Sequence, residues 1–111
     1  MQILVVDDDA LTCSLLMRLL VDEGHEVDSS ADGAEAMVRL RSKKYTTMLT
    51  DLVMPGMSGL ELVIEARAVC PGLHCVIITG QRMPPEADRG EVPWLSKPLD
   101  FDALLACIAP R

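Results

Sequence analysis

Two short apolar runs constrain this chain more than anything else in it: Ile3-Leu4-Val5-Val6 near its start and Cys75-Val76-Ile77-Ile78 past its middle. Neither run alternates with polar residues. Each stops abruptly, the first at Asp7-Asp8-Asp9 and the second at Thr79-Gly80. A strand with one wet face alternates, whereas an unbroken run of strand length is covered on both faces, as in a parallel sheet sandwiched by helices.

The intervening segments fit such a sheet. Leucines at 11, 15, 16, 19 and 20 recur at helical spacing over residues 10–23, and Gly24 ends the pattern. A more polar strand fits residues 25–30. Asp32-Gly33-Ala34-Glu35 then opens a second helix, with a capping carboxylate and a Glu three residues on, running to about Arg41. Residues 46–50 form a third strand around Met48-Leu49, and the next nine residues, Asp51 to Gly59, carry loop chemistry. Leu60, Val63 and Ile64 share a helical face that ends at Pro71-Gly72. A last strand fits residues 92–96, and Phe101, Leu104, Leu105 and Ile108 line one face of a closing helix. Strands alternating with helices in one domain spanning residues 1–111 imply an α/β fold, a doubly wound parallel sheet with right-handed crossovers and helices on both faces.

Composition narrows the function. Seventeen acidic residues against ten basic ones give a net charge of -7, and only Tyr45, Trp94 and Phe101 are aromatic. With half of its 111 residues apolar, the chain can build a core, so it is no disordered acidic tail. Its acidity and scarcity of stacking side chains argue against direct nucleic-acid binding and leave room for a cation. No secretion signal or membrane-length apolar run is present, and Cys13, Cys70, Cys75 and Cys107 form no C-x-x-C pair or zinc spacing with His25 and His74. A soluble cytoplasmic protein with reduced thiols is expected.

In open parallel sheets, ligands bind beyond the carboxyl ends of the strands. Those ends carry Asp7, Asp8 and Asp9, then Asp51, then Thr79, then Lys97. Clustered carboxylates resist joint ionisation unless a cation neutralises them, and a hard divalent ion such as Mg²⁺ takes oxygen ligands while keeping positions for water and phosphate. Lys97 and Thr79 are suited to phosphate oxygens, one by charge and one by hydrogen bonding.

The ordered set Val-Asp7-Asp8, Asp51-Leu-Val-Met-Pro-Gly-Met-Ser-Gly59, Ile-Ile-Thr79-Gly and Leu-Ser-Lys97-Pro98 resembles the receiver domain of two-component response regulators over nearly the whole chain. The resemblance implies a five-stranded, flavodoxin-like sheet of strand order 2-1-3-4-5. It makes Asp51 the phosphoacceptor for a histidine kinase or histidine phosphotransfer protein, in a Mg²⁺-dependent reaction for which Mn²⁺ is a substitute. Asp8, Asp51 and the Val53 backbone carbonyl would ligate the metal, with Asp7 acting through water, while Thr79 and Lys97 would meet the phosphoryl oxygens. It also implies a cis peptide before Pro98, and a rotamer switch at Trp94, where the family usually carries Tyr or Phe. A Trp that simply covers the sheet edge is the competing reading. The chain would be a stand-alone or excised receiver, a monomer or weak dimer, switching an interaction surface for an unknown downstream protein.

The sequence departs from the family between Thr79 and Val92. Residues 80–91 include Pro84, Pro85 and Gly90, too little for a full crossover helix, so a fourth helix is expected to be short or missing and residues 81–91 mobile. The first or closing helix then becomes the better docking face. Two other classes compete: a phosphorylation-independent adaptor, and a haloacid-dehalogenase-type phosphohydrolase, whose D-x-D-x-T nucleophile motif Asp7-Asp8-Asp9-Ala10-Leu11 lacks. Asp9 reads as a helix cap, Gly56 and Gly59 as turn glycines with positive φ, and His25, His74 and the methionines as surface or packing residues.

Overall fold

The computed structural model describes residues 1–80 and 92–109. Five strands, β1 (Gln2–Val6), β2 (Glu26–Ser30), β3 (Thr47–Asp51), β4 (His74–Thr79) and β5 (Trp94–Ser96), form one sheet in the order β2-β1-β3-β4-β5, every neighbouring pair parallel. Among the described residues there are four helices: α1 (Ala10–Asp22), α2 (Gly33–Ser42), α3 (Gly59–Val69) and α4 (Phe101–Ile108). The crossover before β5, where a fourth helix is expected to be short or missing and residues 81–91 mobile, lies outside the described residues.

Both apolar runs are covered on both faces because their side chains alternate between two cores. Leu4, Val6 and Ile77 meet Ala36, Leu40, Leu62 and Ala66 of α2 and α3. Ile3, Val5, Val76 and Ile78 meet Leu16 and Leu20 of α1 and Leu104 and Ile108 of α4. Residues 3 to 6 are each at most 1% exposed, so a polar substitution there would have no wet face to turn toward. Tight packing of both layers gives a radius of gyration of 12.5 Å.

Each helix start is fixed by a side-chain oxygen that accepts an otherwise unpaired N–H of the first turn. Asp9 caps α1 through Leu11 N–H, Asp32 caps α2 through Glu35 N–H, Ser58 caps α3 through Glu61 N–H, and Asp100 caps α4 through the N–H groups of Asp102 and Ala103. At the far end of α4, its last carbonyls are taken by the sheet: Thr47 Oγ1 donates to Ile108 O at 2.6 Å, and His74 Nε2 lies 2.6 Å from Cys107 O. His74 is thus a packing residue with a defined partner. The four cysteines are free thiols. The last strand is shorter than expected, beginning at Trp94 rather than Val92; Pro93 has no N–H for a ladder but still accepts from Ile77 N–H through its carbonyl at 3.0 Å.

Candidate functional site

Parallel pairing brings the strand ends to one edge. Asp7, just past β1, donates its N–H to Ser30 O at the end of β2 (3.1 Å), and Lys97, just past β5, donates its N–H to Thr79 O at the end of β4 (2.8 Å). Asp51 closes β3 between them. Asp7, Asp8 and Asp51 each offer a carboxylate oxygen within 4.8 Å of the others. Asp7 is only 4% exposed, Asp51 is half-buried and Asp8 is exposed.

Among the described residues, one cation serves this cluster. Lys97 Nζ lies 3.5 Å from Asp7 Oδ2 and 3.6 Å from Asp51 Oδ2. Charge-assisted N–H···O bonds run about 2.7–2.9 Å, so the ammonium is shared between two carboxylates and committed to neither. Burial pushes the Asp7 carboxyl above its ordinary pKa, and the Asp51 charge adds to the rise; the Asp9 N–H bonded to Asp7 Oδ1 at 2.9 Å and the Lys97 ammonium oppose it. Among the described residues, three clustered carboxylates thus face a single lysine. Its donors are hard oxygens, partly open to solvent, and a small divalent cation such as Mg²⁺ fits that set.

The third aspartate of the run has another task. Asp9 accepts from the Thr12 hydroxyl at 2.7 Å and from Leu11 N–H at 3.1 Å, and these bonds hold its carboxyl below the usual range. Sequence reasoning missed Cys13, whose Sγ donates to Asp7 O at 3.3 Å and so braces the turn that carries Asp7 and Asp8. Burial pushes that thiol up, away from the thiolate form.

The remaining sequence-derived residues divide. Thr79 is 1% exposed at the end of β4, and the Lys97–Pro98 peptide is cis. Val53, half exposed, lies two residues beyond Asp51 in the loop before α3. Trp94 stands 40% exposed on the edge strand, whose Leu95 packs into the α1–α4 core.

Gly59 corrects the sequence reading. Gly56 does adopt a positive φ of 82°, but among the described residues only it and Gly24 do so. Gly59 is instead the first residue of α3, pressed against the backbone of β3: a Cβ there would lie 2.2 Å from Asp51 O, and its N–H donates to Leu52 O at 2.8 Å. The position demands glycine for close approach, not for a left-handed turn.

Fold and site together define an acidic pocket at the strand ends of a doubly wound sheet, and the comparisons give it a family. The model of the response regulator receiver domain matches residues 3–109, and the chain belongs to that family. It is 36% identical over 110 residues to the transcriptional regulatory protein GlrR of Escherichia coli K12, covering 96% of this chain and 25% of that protein. The chain thus spans about a quarter of the length of the curated relatives it matches first. A response regulator receiver protein from Pseudomonas putida superposes with a TM-score of 0.88 at 31% identity, covering 96% of this chain and 93% of the other. The response regulator TrrA of Thermotoga maritima, solved in complex with Mg²⁺-BeF, gives 0.81 at 31% identity, covering 95% and 93%. Receiver domains are signalling domains rather than classical enzymes; they bind Mg²⁺ at an acidic pocket and are phosphorylated by histidine kinases. Among the described residues no helix is long and apolar enough to cross a membrane.

Proposed function

We propose that Asp51 is the phosphoacceptor of this chain, taking a phosphoryl group from the phosphohistidine of a histidine kinase or phosphotransfer protein. The observation that carries the reading is the half-buried Asp51 carboxylate facing a lysine shared with buried Asp7, beside exposed Asp8. An Asp51 oxygen attacks phosphorus, the P–N bond breaks, and the imidazole nitrogen keeps the bonding pair, leaving an aspartyl phosphate. Asp8, Asp51 and the Val53 carbonyl would hold Mg²⁺, with Asp7 acting through water, and the ion when bound supplies charge neutralisation for the phosphoryl oxygens.

The other residues act by position. The loosely shared Lys97 ammonium is free to transfer to a phosphoryl oxygen as the Asp51 charge is consumed, and the Thr79 hydroxyl donates to another. Trp94, already exposed at the sheet edge, turns inward as Thr79 moves. Leu11 and Leu15 of α1 are exposed, and a groove between α1 and α4 is lined by Leu15, Leu19, Leu99 and Phe101, which supports the first and closing helices as the docking face. The protein acts in the cytoplasm as a monomer or weak dimer. Its acidic surface meets a downstream protein rather than DNA.

Incubation with acetyl phosphate and Mg²⁺ tests the reading. A hydroxylamine-labile adduct that disappears in Asp51→Asn is the expected result. Rapid turnover without an adduct would favour a phosphohydrolase, and no modification a phosphorylation-independent adaptor.

A further inference from the structure

The loop that follows Asp51 is held at two points. Its end is fixed where Gly59 lies flush against the Asp51 carbonyl. Its middle is fixed by Met57, which packs into a notch at Gly33, the buried first residue of α2. A Cβ on Gly33 would lie 2.8 Å from Met57 Sδ, 3.1 Å from Met57 Cβ and 3.3 Å from Met57 Cγ.

These distances separate side-chain from backbone adjustment. The Met57 sulfur could swing aside into the open cavity of about 540 Å³ that this loop shares with the start of α2. Met57 Cβ has no such freedom, because it moves only with the loop backbone. That backbone is short and constrained: Gly56 is in the left-handed region, Met57 N–H donates to Pro55 O at 3.1 Å, and Met54 is buried in the α2–α3 core. Displacement at Met57 is therefore carried toward Val53 and Asp51 on one side and Gly59 on the other.

We propose that Met57, keyed into the Gly33 notch, is a positioning residue that sets the height of the segment carrying Asp51 and the Val53 carbonyl, and thereby couples α2 to the acceptor site. The proposal rests on Asp51 being the Mg²⁺-dependent phosphoacceptor. Neither Gly33 nor Met57 touches the reacting groups, so their effect is wholly on geometry.

A double-mutant cycle on Gly33→Ala and Met57→Gly, read by Mg²⁺ affinity, acetyl phosphate labelling rate and melting temperature, tests it. Alanine is a better helix former than glycine, so a merely structural role predicts unchanged or higher stability for Gly33→Ala and no change in affinity. The positioning role predicts Mg²⁺ binding weakened by about fivefold and labelling slowed by about tenfold in Gly33→Ala, with melting little changed. In the Met57→Gly background, where Cβ is gone with the rest of the side chain, adding Gly33→Ala is expected to alter either readout by no more than about twofold. Equal penalties from Gly33→Ala in both backgrounds, or none in either, would overturn the proposal while leaving the acceptor assignment intact. Absence of any Asp51 adduct in the unsubstituted protein would overturn the assignment and the proposal together.

Discussion

Substituting Gly59 by alanine tests how the fold holds the acceptor. The added Cβ would lie 2.2 Å from Asp51 O, 3.0 Å from Asp51 C and 3.0 Å from Leu52 Cα, all backbone atoms. A carbon and a carbonyl oxygen in contact sit roughly 3.3 Å apart, so the start of α3 and the end of β3 must separate by about 1 Å. Neither side yields easily. The Gly59 N–H is bonded to Leu52 O, the Leu52 N–H is bonded to Ile78 O of β4, and the α3 start is capped by Ser58. Overpacking against well-packed surroundings costs about 1–3 kcal/mol, and a backbone clash belongs at the upper end. With a urea slope of about 1.5 kcal/mol/M for a chain of this size, the unfolding midpoint should fall by roughly 1–2 M. The same displacement moves Asp51 relative to Lys97, and a misplacement of about 1 Å can slow reaction on the order of 10²-fold. Urea denaturation with and without Mg²⁺, together with acetyl phosphate labelling, reads both effects. A Gly59→Ala protein with an unshifted midpoint and unchanged labelling would refute the close-approach argument.

Other substitutions separate site from scaffold. Asp7→Asn removes a buried carboxylate held above its ordinary pKa, so the metal-free protein should gain about 1–2 kcal/mol at neutral pH while Mg²⁺ stabilises it less; differential scanning calorimetry with and without Mg²⁺ checks both halves. Tyr45 donates to Asp28 Oδ2 at 2.6 Å, so Tyr45→Phe should cost about 1–2 kcal/mol by urea denaturation. Burial first, then the Asp28 bond, raises Tyr45 to about 12, so its contribution is complete below the unfolded value near 10.0 and lost as pH rises through about 12. Bonds from Tyr45 and then Lys43 lower Asp28, whose contribution is present above its unfolded value and lost as pH falls through the folded one. Melting curves across pH should show the alkaline step in the native protein and not in Tyr45→Phe. Thr47→Val leaves the buried Ile108 carbonyl without its 2.6 Å donor; a loss of about 1–2 kcal/mol and faster amide exchange in α4 are expected.

The legible parts of this chain were those governed by local rules. The two apolar runs announced strands covered on both faces, and once strands and helices alternated, topology alone carried Asp7, Asp51, Thr79 and Lys97 to one edge. Capping chemistry announced the starts of α1 and α2 at Asp9 and Asp32. What stayed hidden depended on elements meeting in space. Gly59 was read as a turn glycine because the sequence does not reveal that the α3 start abuts the Asp51 carbonyl. The Gly33 notch resembled ordinary helix-start chemistry, and Cys13 an ordinary packed thiol. The attachment of α4 through Thr47 and His74 joins residues more than thirty positions apart, and no local pattern encodes it.

The most direct test of the account is to locate the phosphoryl group. After labelling with acetyl phosphate and Mg²⁺, borohydride reduction converts an aspartyl phosphate to homoserine, and peptide mass spectrometry identifies the converted residue. The account predicts conversion at Asp51, Mg²⁺-dependent and lost in Asp51→Asn. Conversion at Asp7 or Asp8 instead, or labelling that persists in Asp51→Asn, would contradict it.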